Sequence, residues 1–321
     1  MKIIDYPRFV EASSYHDALS KMTQRLLRLK GVKAVYQAGS IGAPGISDLD
    51  MLVVVEDEWT IEENFLQGLE KDERYFFIHN LYGIAASHFT GAERYAFYQQ
   101  YSLLGGEEVR SNPAMQQDER ELLKIQIALE YMVKMYVTLF LQQRYGVLRM
   151  RDLLLHVKAL QYDLEFLGIN SGAVSGHVLE VIEWRKNWFV RQPGKNEIIS
   201  WWNGFYNSFI QLLQDQLKEH VFYLPKKETY PLAKNIRMIP VENELSVSQK
   251  GFILPATFSF IGKKYFRFQN RLSRFDIFVP VRSASIPGTL QNKFHFEEKI
   301  VAYNKKFLPH FLPVTSSLHA L

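Results

Sequence analysis

Apolar residues recur at helical spacing from Ser13 to Lys30. Ala18, Leu19, Met22, Leu26 and Leu29 line one face, Ser13 or Ser14 can cap the start, and Gly31 can end it. "VKAVYQAG" follows as a short strand closed by Gly39. A loop from Ser40 to Ser47, rich in glycine with one proline, leads to a second strand over residues 49–55. Residues 61–69 carry a helical pattern, and "RYFFIHN" and "YGIAASHF" read as two further strands joined at a turn near Asn80. Helix, strand, glycine loop, strand, helix and strand describe a small α/β unit ending before Pro113.

The pattern then lengthens. Residues 118–145 form one long helix by periodicity, acidic at its start and apolar nearly all round between Ile127 and Leu141. A helix apolar on every side belongs inside a bundle. Residues 150–167, 174–190 and 198–217 continue the helical reading, with breaks at Gly146, Gly168 to Gly172 and Pro193-Gly194. Beyond Phe222, prolines punctuate short β-like pieces such as "NIRMIPVE" and "FDIFVPV", and a last helical stretch covers 293–307. Three segments are therefore expected in an α+β chain. They are an α/β domain (1–112), a helical domain (113–222) and a small β-rich mixed module (223–321).

Composition narrows the chemistry. The chain has 321 residues, 47% of them hydrophobic, which allows a sizeable core. It has no cysteine, so disulfides, thiolate zinc sites and cysteine nucleophiles are excluded. A net charge of +4 does not by itself mark a nucleic-acid binder. Charges interrupt the start "MKIIDYPRFVEASSYHD", which lacks the apolar core of a signal peptide. Residues 132–141, the most apolar helical stretch, fall well short of the roughly 20 needed to cross a bilayer. The expectation is a soluble, cytoplasmic protein.

The stretch "AGSIGAPGISDLDMLVVV" carries the chemistry. Asp is a poor strand former, yet Asp48 and Asp50 open an apolar strand. Alternation sets both on one face with Leu49 turned into the core, their Cα atoms roughly 6.5 Å apart. Two carboxylates that close repel, and a divalent cation between them relieves the repulsion. Mg²⁺ favours a few carboxylate oxygens with water and substrate phosphate completing its shell. Gly39 lets backbone approach a phosphate and Ser40 offers a hydroxyl donor. The plainer alternative is a glycine turn with two solvated aspartates.

Gly39, Ser40, Ser47, Asp48 and Asp50, with a helix and a strand before them, resemble the signature of the polymerase-β-like nucleotidyltransferase superfamily. That signature is Gly-Ser at a strand end, a loop, then Ser-Asp-hydrophobic-Asp opening the next strand. The resemblance covers the N-terminal third. It implies a nucleotidyltransferase-like domain with a mixed sheet, moving a nucleotidyl group from a nucleoside triphosphate to a small molecule, protein or RNA acceptor. Asp48 and Asp50 would bind Mg²⁺ or Mn²⁺, Gly39 and Ser40 would hold the phosphates, and Ser47 would buttress the loop. A third carboxylate usually comes from a later strand. "YGIAASHFTG" offers only His88 as a titratable group, which leaves His88, Glu93, Glu107 or no residue for that place. The alternative is a catalytically silent module of this kind that binds a nucleotide or a partner protein.

Weaker signals lie further on. "RDLLLH" places Arg151 and His156 in a pattern similar to that of HEPN ribonuclease domains; the plainer reading has Arg151 solvated and His156 a satisfied, partly buried histidine. "FIGKKYFRFQNRLSRF" interleaves Lys263, Lys264, Arg267, Arg271 and Arg274 with aromatics, which suits single-stranded nucleic acid or another polyanion. It equally suits a two-faced strand pair. Trp184, Trp188, Trp201 and Trp202 are expected to pack between helices. His79 and His88 read as structural residues flanking a hairpin.

Overall fold

In the computed structural model, which describes residues 1–59, 65–78, 81–95, 100–110, 114–224, 235–242, 244–280 and 285–303, the apolar run at Met51–Val55 is buried on both sides. Before it come β1 (Lys2–Ile4), α1 (Ala12–Leu27) and β2 (Val32–Ala38), and the run itself is β3 (Asp50–Val55). Next are α2 (Lys71–Phe76), β4 (Tyr82–Ala85), α3 (Phe89–Tyr95) and β5 (Tyr101–Gly106). The middle of the chain holds α4 (Gln117–Tyr145), β6 (Val147–Arg149), α5 (Met150–Phe166), α6 (Ala173–Asn187) and α7 (Lys195–Glu219). Then follow β7 (Ile236–Val241), β8 (Ser246–Gly251), α8 (Lys263–Arg271), β9 (Ser273–Pro280) and α9 (Gly288–Tyr303). The chain is α+β with mixed sheets. It divides into two compact units: residues 8–119 with 288–303, and residues 1–7 with 120–287. The helical segment and most of the C-terminal segment thus share one unit, while α9 belongs with the N-terminal elements.

In the first unit the sheet order is β4-β3-β2-β5. β3 runs antiparallel to β2 and parallel to β4. Met51, Val53 and Val55 pack with the apolar face of α1, while Leu52 and Val54 pack with Phe89 and Ala92 of α3 and Phe296 and Ile300 of α9. Covering both faces explains the unbroken "MLVVV", since a one-sided strand would alternate. β5 runs antiparallel to β2. Gly106 joins them at φ +92, where an added Cβ would stand 2.1 Å from the Lys33 carbonyl oxygen, so only glycine fits.

Three expectations in this unit are corrected. Residues 71–76 are a helix rather than part of a strand: the Glu73 carboxylate accepts the N–H of Glu70 across the first turn, and the parallel β3–β4 pair needs a crossover between them. The expected hairpin is therefore absent, and β4 stops at Ala85, followed by a 3-10 turn at Ala86–His88. Residues 65–68 are turn, not helix; 61–64, His79 and Asn80 lie outside the described residues.

In the second unit α4 is buried over much of its length, with Ile127, Tyr131, Lys134 and Thr138 half-buried along one stripe. β1 pairs in parallel with β6. Along α7, Trp201, Phe205 and Phe209 form an aromatic stripe with ring centroids 4.8 and 5.6 Å apart. Trp184 packs on Trp201 at 5.3 Å, Trp188 and Trp202 are buried, and the Trp202 indole donates to Gln143 at 2.7 Å. The sheet β7-β9-β8 has β9 at its centre, with Phe275, Ile277 and Val279 inward. Residues 263–271 are helical, correcting the strand-pair reading. Tyr265, Phe266, Gln269 and Asn270 are buried while Lys264, Arg267, Phe268 and Arg271 are exposed, a period of 3.6 and not of 2.

Candidate functional site

The register of β2 and β3 sets Ala38 opposite Asp50. Because the strands are antiparallel, Gly39 and Ser40 leave β2 at the same end of the sheet at which Asp48 and Leu49 approach β3. Leu49 is 2% exposed and its N–H donates to the Phe76 carbonyl at 2.8 Å. Asp48 and Asp50, on either side of it, are half-buried. β3 begins at Asp50, so Asp48 stands just ahead of the strand, yet the alternation holds. Buried Leu49 is the anchor that keeps the two carboxylates at the end of the sheet.

Gly39 and Ser40 are both exposed. Gly39 adopts φ +71, and no atom lies within 4 Å of the place a Cβ would take. Its N–H donates to the Gln100 carbonyl at 2.7 Å. Gly39 therefore offers an open approach rather than the amide expected to meet a phosphate. The Gly42 N–H donates to the Ser40 carbonyl at 3.0 Å and tightens the turn.

Ser47 is 4% exposed. Its Oγ accepts the Ala43 N–H at 3.1 Å, and its own N–H donates to the Ala43 carbonyl at 2.8 Å. This side chain holds the loop from inside. Two tyrosines missed in the sequence complete the support. Tyr15 of α1, fully buried, donates to the Ser47 carbonyl at 2.8 Å and accepts the Gly45 N–H at 2.9 Å. Tyr75 of α2 donates to the Gly45 carbonyl at 2.5 Å and accepts the Arg8 N–H at 3.1 Å. The available signal was Tyr15 on the buried face of α1, since a buried tyrosine hydroxyl needs a polar partner.

Register also sorts the candidates for a third acid. β4 runs parallel to β3 with Ala85 opposite Val55, so His88 lies past the far end of β3. That end is roughly 17 Å from Asp50 at the rise of a strand. Glu107 is at the far end too, its N–H donating to the Lys33 carbonyl at 2.8 Å. Asp57 belongs to the same end; it accepts the Ser87 N–H at 2.9 Å, which holds its pKa below the usual carboxylate value. Glu93 is different. Tyr101 sits opposite Ala38, which sits opposite Asp50, so the three side chains share one face across adjacent strands. The Tyr101 hydroxyl donates to the Glu93 carboxylate, bringing that acid over the end of the sheet that carries Asp50. Burial and then the Glu93 carboxylate push the Tyr101 pKa up, so its hydroxyl remains a donor.

A cavity of about 460 Å³ lies between the first turns of α1 and α2, lined by Arg8, Phe9, Glu11, Lys21, Asp72 and Phe76 among others. None of the four exposed or half-buried site residues lines it. Arg8 pairs with Asp72 at 2.6 Å and Lys21 with Glu73 at 3.3 Å within its walls.

In the second unit, His156 behaves as a satisfied histidine. Its Nδ1 lies 2.8 Å from the Asp152 carbonyl, which fixes the proton on that nitrogen, and desolvation lowers its pKa to about 4. Arg151 is buried, not solvated, which corrects the expectation. A ribonuclease pair shared across a dimer needs both side chains at the surface. Lys264, Arg267, Arg271 and Arg274 are exposed, while the Lys263 side chain lies outside the described residues.

Among the described residues no group of three or more His, Asp or Glu side chains is placed to hold a metal ion, and no helix is long and apolar enough to cross a membrane. Asp48 and Asp50 stand at the end of the sheet that the open turn at Gly39 also leaves. No family model and no curated protein matches the chain.

Proposed function

We propose that the first unit is a Mg²⁺-dependent nucleotidyltransferase, using a nucleoside triphosphate as donor. One observation carries this reading: Ala38 pairs with Asp50, so Gly39-Ser40 and Asp48-Leu49-Asp50 meet the sheet at the same end. The donor set suits the metal, because two half-buried carboxylates supply hard oxygen ligands while leaving room for water and phosphate. Asp48 and Asp50 would hold it, and when bound it would neutralise charge developing on the transferred phosphoryl group. Ser40 donates a hydroxyl toward the phosphates, and Gly39 leaves the approach unobstructed. Ser47, Tyr15 and Tyr75 keep the turn in shape without touching substrate. Glu93, positioned by Tyr101, is the acid that can accept the proton of the acceptor group.

A second reading, a silent module that binds a nucleotide without turnover, is favoured by the engagement of the Glu93 carboxylate by Tyr101. Calorimetry with ATP and Mg²⁺, followed by an assay for released pyrophosphate over a panel of hydroxyl acceptors, separates the two. Metal-dependent binding that disappears in Asp48→Asn, Asp50→Asn supports the site. Binding unchanged in that variant refutes it, and binding without pyrophosphate release on any acceptor selects the silent module.

A further inference from the structure

The sharpest departure from an ordinary protein surface is in the second unit, over residues 252–274. Five large apolar side chains are exposed there. Phe260 is 75% exposed and Phe252 65%; Phe258, Phe268 and Leu272 are also exposed. Exposed apolar residues scattered singly need no explanation, but a contiguous group does. The backbone draws them into two close groups. The Phe258 and Phe260 rings lie 6.4 Å apart, the Phe252 carbonyl accepts the Gln269 side chain at 2.7 Å, and Gly251 sits against the Leu272 carbonyl. Phe268 stands on α8 one turn from Leu272, whose N–H donates to the Phe268 carbonyl.

The exposed charge within this segment has one sign. Lys264, Arg267, Arg271 and Arg274 are exposed beside the apolar side chains, and no acid occurs between residues 251 and 275. The Lys2 side chain reaches the Thr257 carbonyl and adds a further cation at the rim. The partner must therefore be a polyanion that also accepts aliphatic and aromatic side chains. Leu272 cannot stack on a base, and Phe258 and Phe260 form a stacked pair with each other, 6.4 Å between ring centroids. An anionic bilayer meets both demands, because phenylalanine and leucine enter the acyl boundary while arginine and lysine remain at the headgroups.

We propose that this face docks the protein on the surface of an anionic phospholipid bilayer. The contact is peripheral: protruding Phe252, Phe260 and Leu272 enter the interface, and the basic face of α8 binds headgroup phosphates and carboxylates.

Vesicle co-sedimentation of the full chain tests this, using phosphatidylserine–phosphatidylcholine and pure phosphatidylcholine vesicles at low and high salt. Binding is expected to the anionic vesicles only, weakening with salt. Arg267→Gln, Arg271→Gln should lower the partition coefficient by about 25-fold, at roughly fivefold per charge. Phe260→Ser should lower it tenfold or more. All three positions are exposed, and circular dichroism of each variant checks the fold. Failure to bind anionic vesicles, or binding indifferent to these substitutions, overturns the proposal. A labelled single-stranded RNA supplies the competing arm: RNA binding lost in the arginine variant, with vesicles unbound, assigns the face to nucleic acid instead.

Discussion

Tyr15 donates its hydroxyl proton to the backbone carbonyl of Ser47, 32 positions along the chain, at 2.8 Å. The bond ties the first helix to the glycine turn, and the same oxygen accepts the Gly45 N–H. Loop shape at the candidate site is thus set from the core.

Tyr15→Phe leaves the ring in place and removes both bonds, stranding a buried carbonyl and a buried amide. The loss should be about 1–3 kcal/mol of stability, read from urea denaturation. Metal-dependent nucleotide affinity should fall as well, because the turn bearing Ser40 loosens. A variant as stable as the parent would show that the loop holds itself without the tyrosine.

Glu93 and Tyr101 can be separated from the metal pair by kinetics. Glu93→Gln should lower kcat by about 10²–10⁴-fold, the usual contribution of a positioned acid or base, while leaving nucleotide affinity near that of the parent. Tyr101→Phe keeps the aromatic packing on Tyr36 at 5.4 Å and removes one donor from Glu93. It should move the acidic limb of the pH–rate profile upward, since a hydrogen bond to the charged carboxylate is lost. Equal activity in both variants would remove Glu93 from the reaction.

The sequence was most readable where one physical rule acted alone. "MLVVV" declared a strand covered on both faces, and α4 and α7 announced themselves by period. That Gly39-Ser40 and Asp48-Asp50 meet the sheet at one end follows from two antiparallel strands and the loop between them. Elsewhere two rules competed. The aromatics of "RYFFIHN" favour a strand, but the Glu70–Glu73 contact and the parallel crossover impose a helix. β5 was missed because Gly105 and Gly106 break its pattern, and its place depends on a close approach to Lys33 that only the fold displays. The separation of His88 from Asp50 is a matter of strand register, which single-sequence alternation does not carry.

His156 and Asp163 make the second unit respond to pH in opposite senses. His156 titrates at about 4 in the fold against 6.5 in the unfolded chain, so the unfolded chain binds more protons between those values. Its contribution is present above pH 6.5 and is lost as pH falls toward 4. Burial raises the Asp163 pKa well above 3.8, so here the fold binds the extra proton. Its contribution is present below pH 3.8 and lost as pH rises. Asp163→Asn should therefore stabilise the protein at pH 7 with the gain vanishing below pH 4, whereas His156→Gln should flatten the loss between pH 6.5 and 4. Denaturation midpoints across that range check both, and a pH dependence identical in all three proteins would refute the assignments.

Arg149 is another buried charge whose fate the surroundings decide. Its guanidinium lies 2.5 Å from Asp152 and 3.5 Å from Asp5, with both Arg149 and Asp152 buried. Two effects oppose one another. Desolvating a cation and an anion is costly, and their attraction in a low-dielectric site offsets much of that cost. Removing one partner leaves the other charge buried and uncompensated, so Arg149→Ala should cost about 3–5 kcal/mol. Replacing both removes the desolvation penalty together with the attraction. Arg149→Met with Asp152→Leu should thus recover most of that loss, less whatever Asp5 still contributes from its more exposed side. The Arg149 N–H, which donates to the Gln142 side chain at 2.8 Å, persists in every variant and leaves the turn between α4 and α5 intact. Denaturation of the two singles and the double gives the coupling directly. A double variant no more stable than Arg149→Ala would mean that the guanidinium's contact with the Phe266 ring, 5.8 Å from its centroid, rather than its pairing with Asp152, holds this junction.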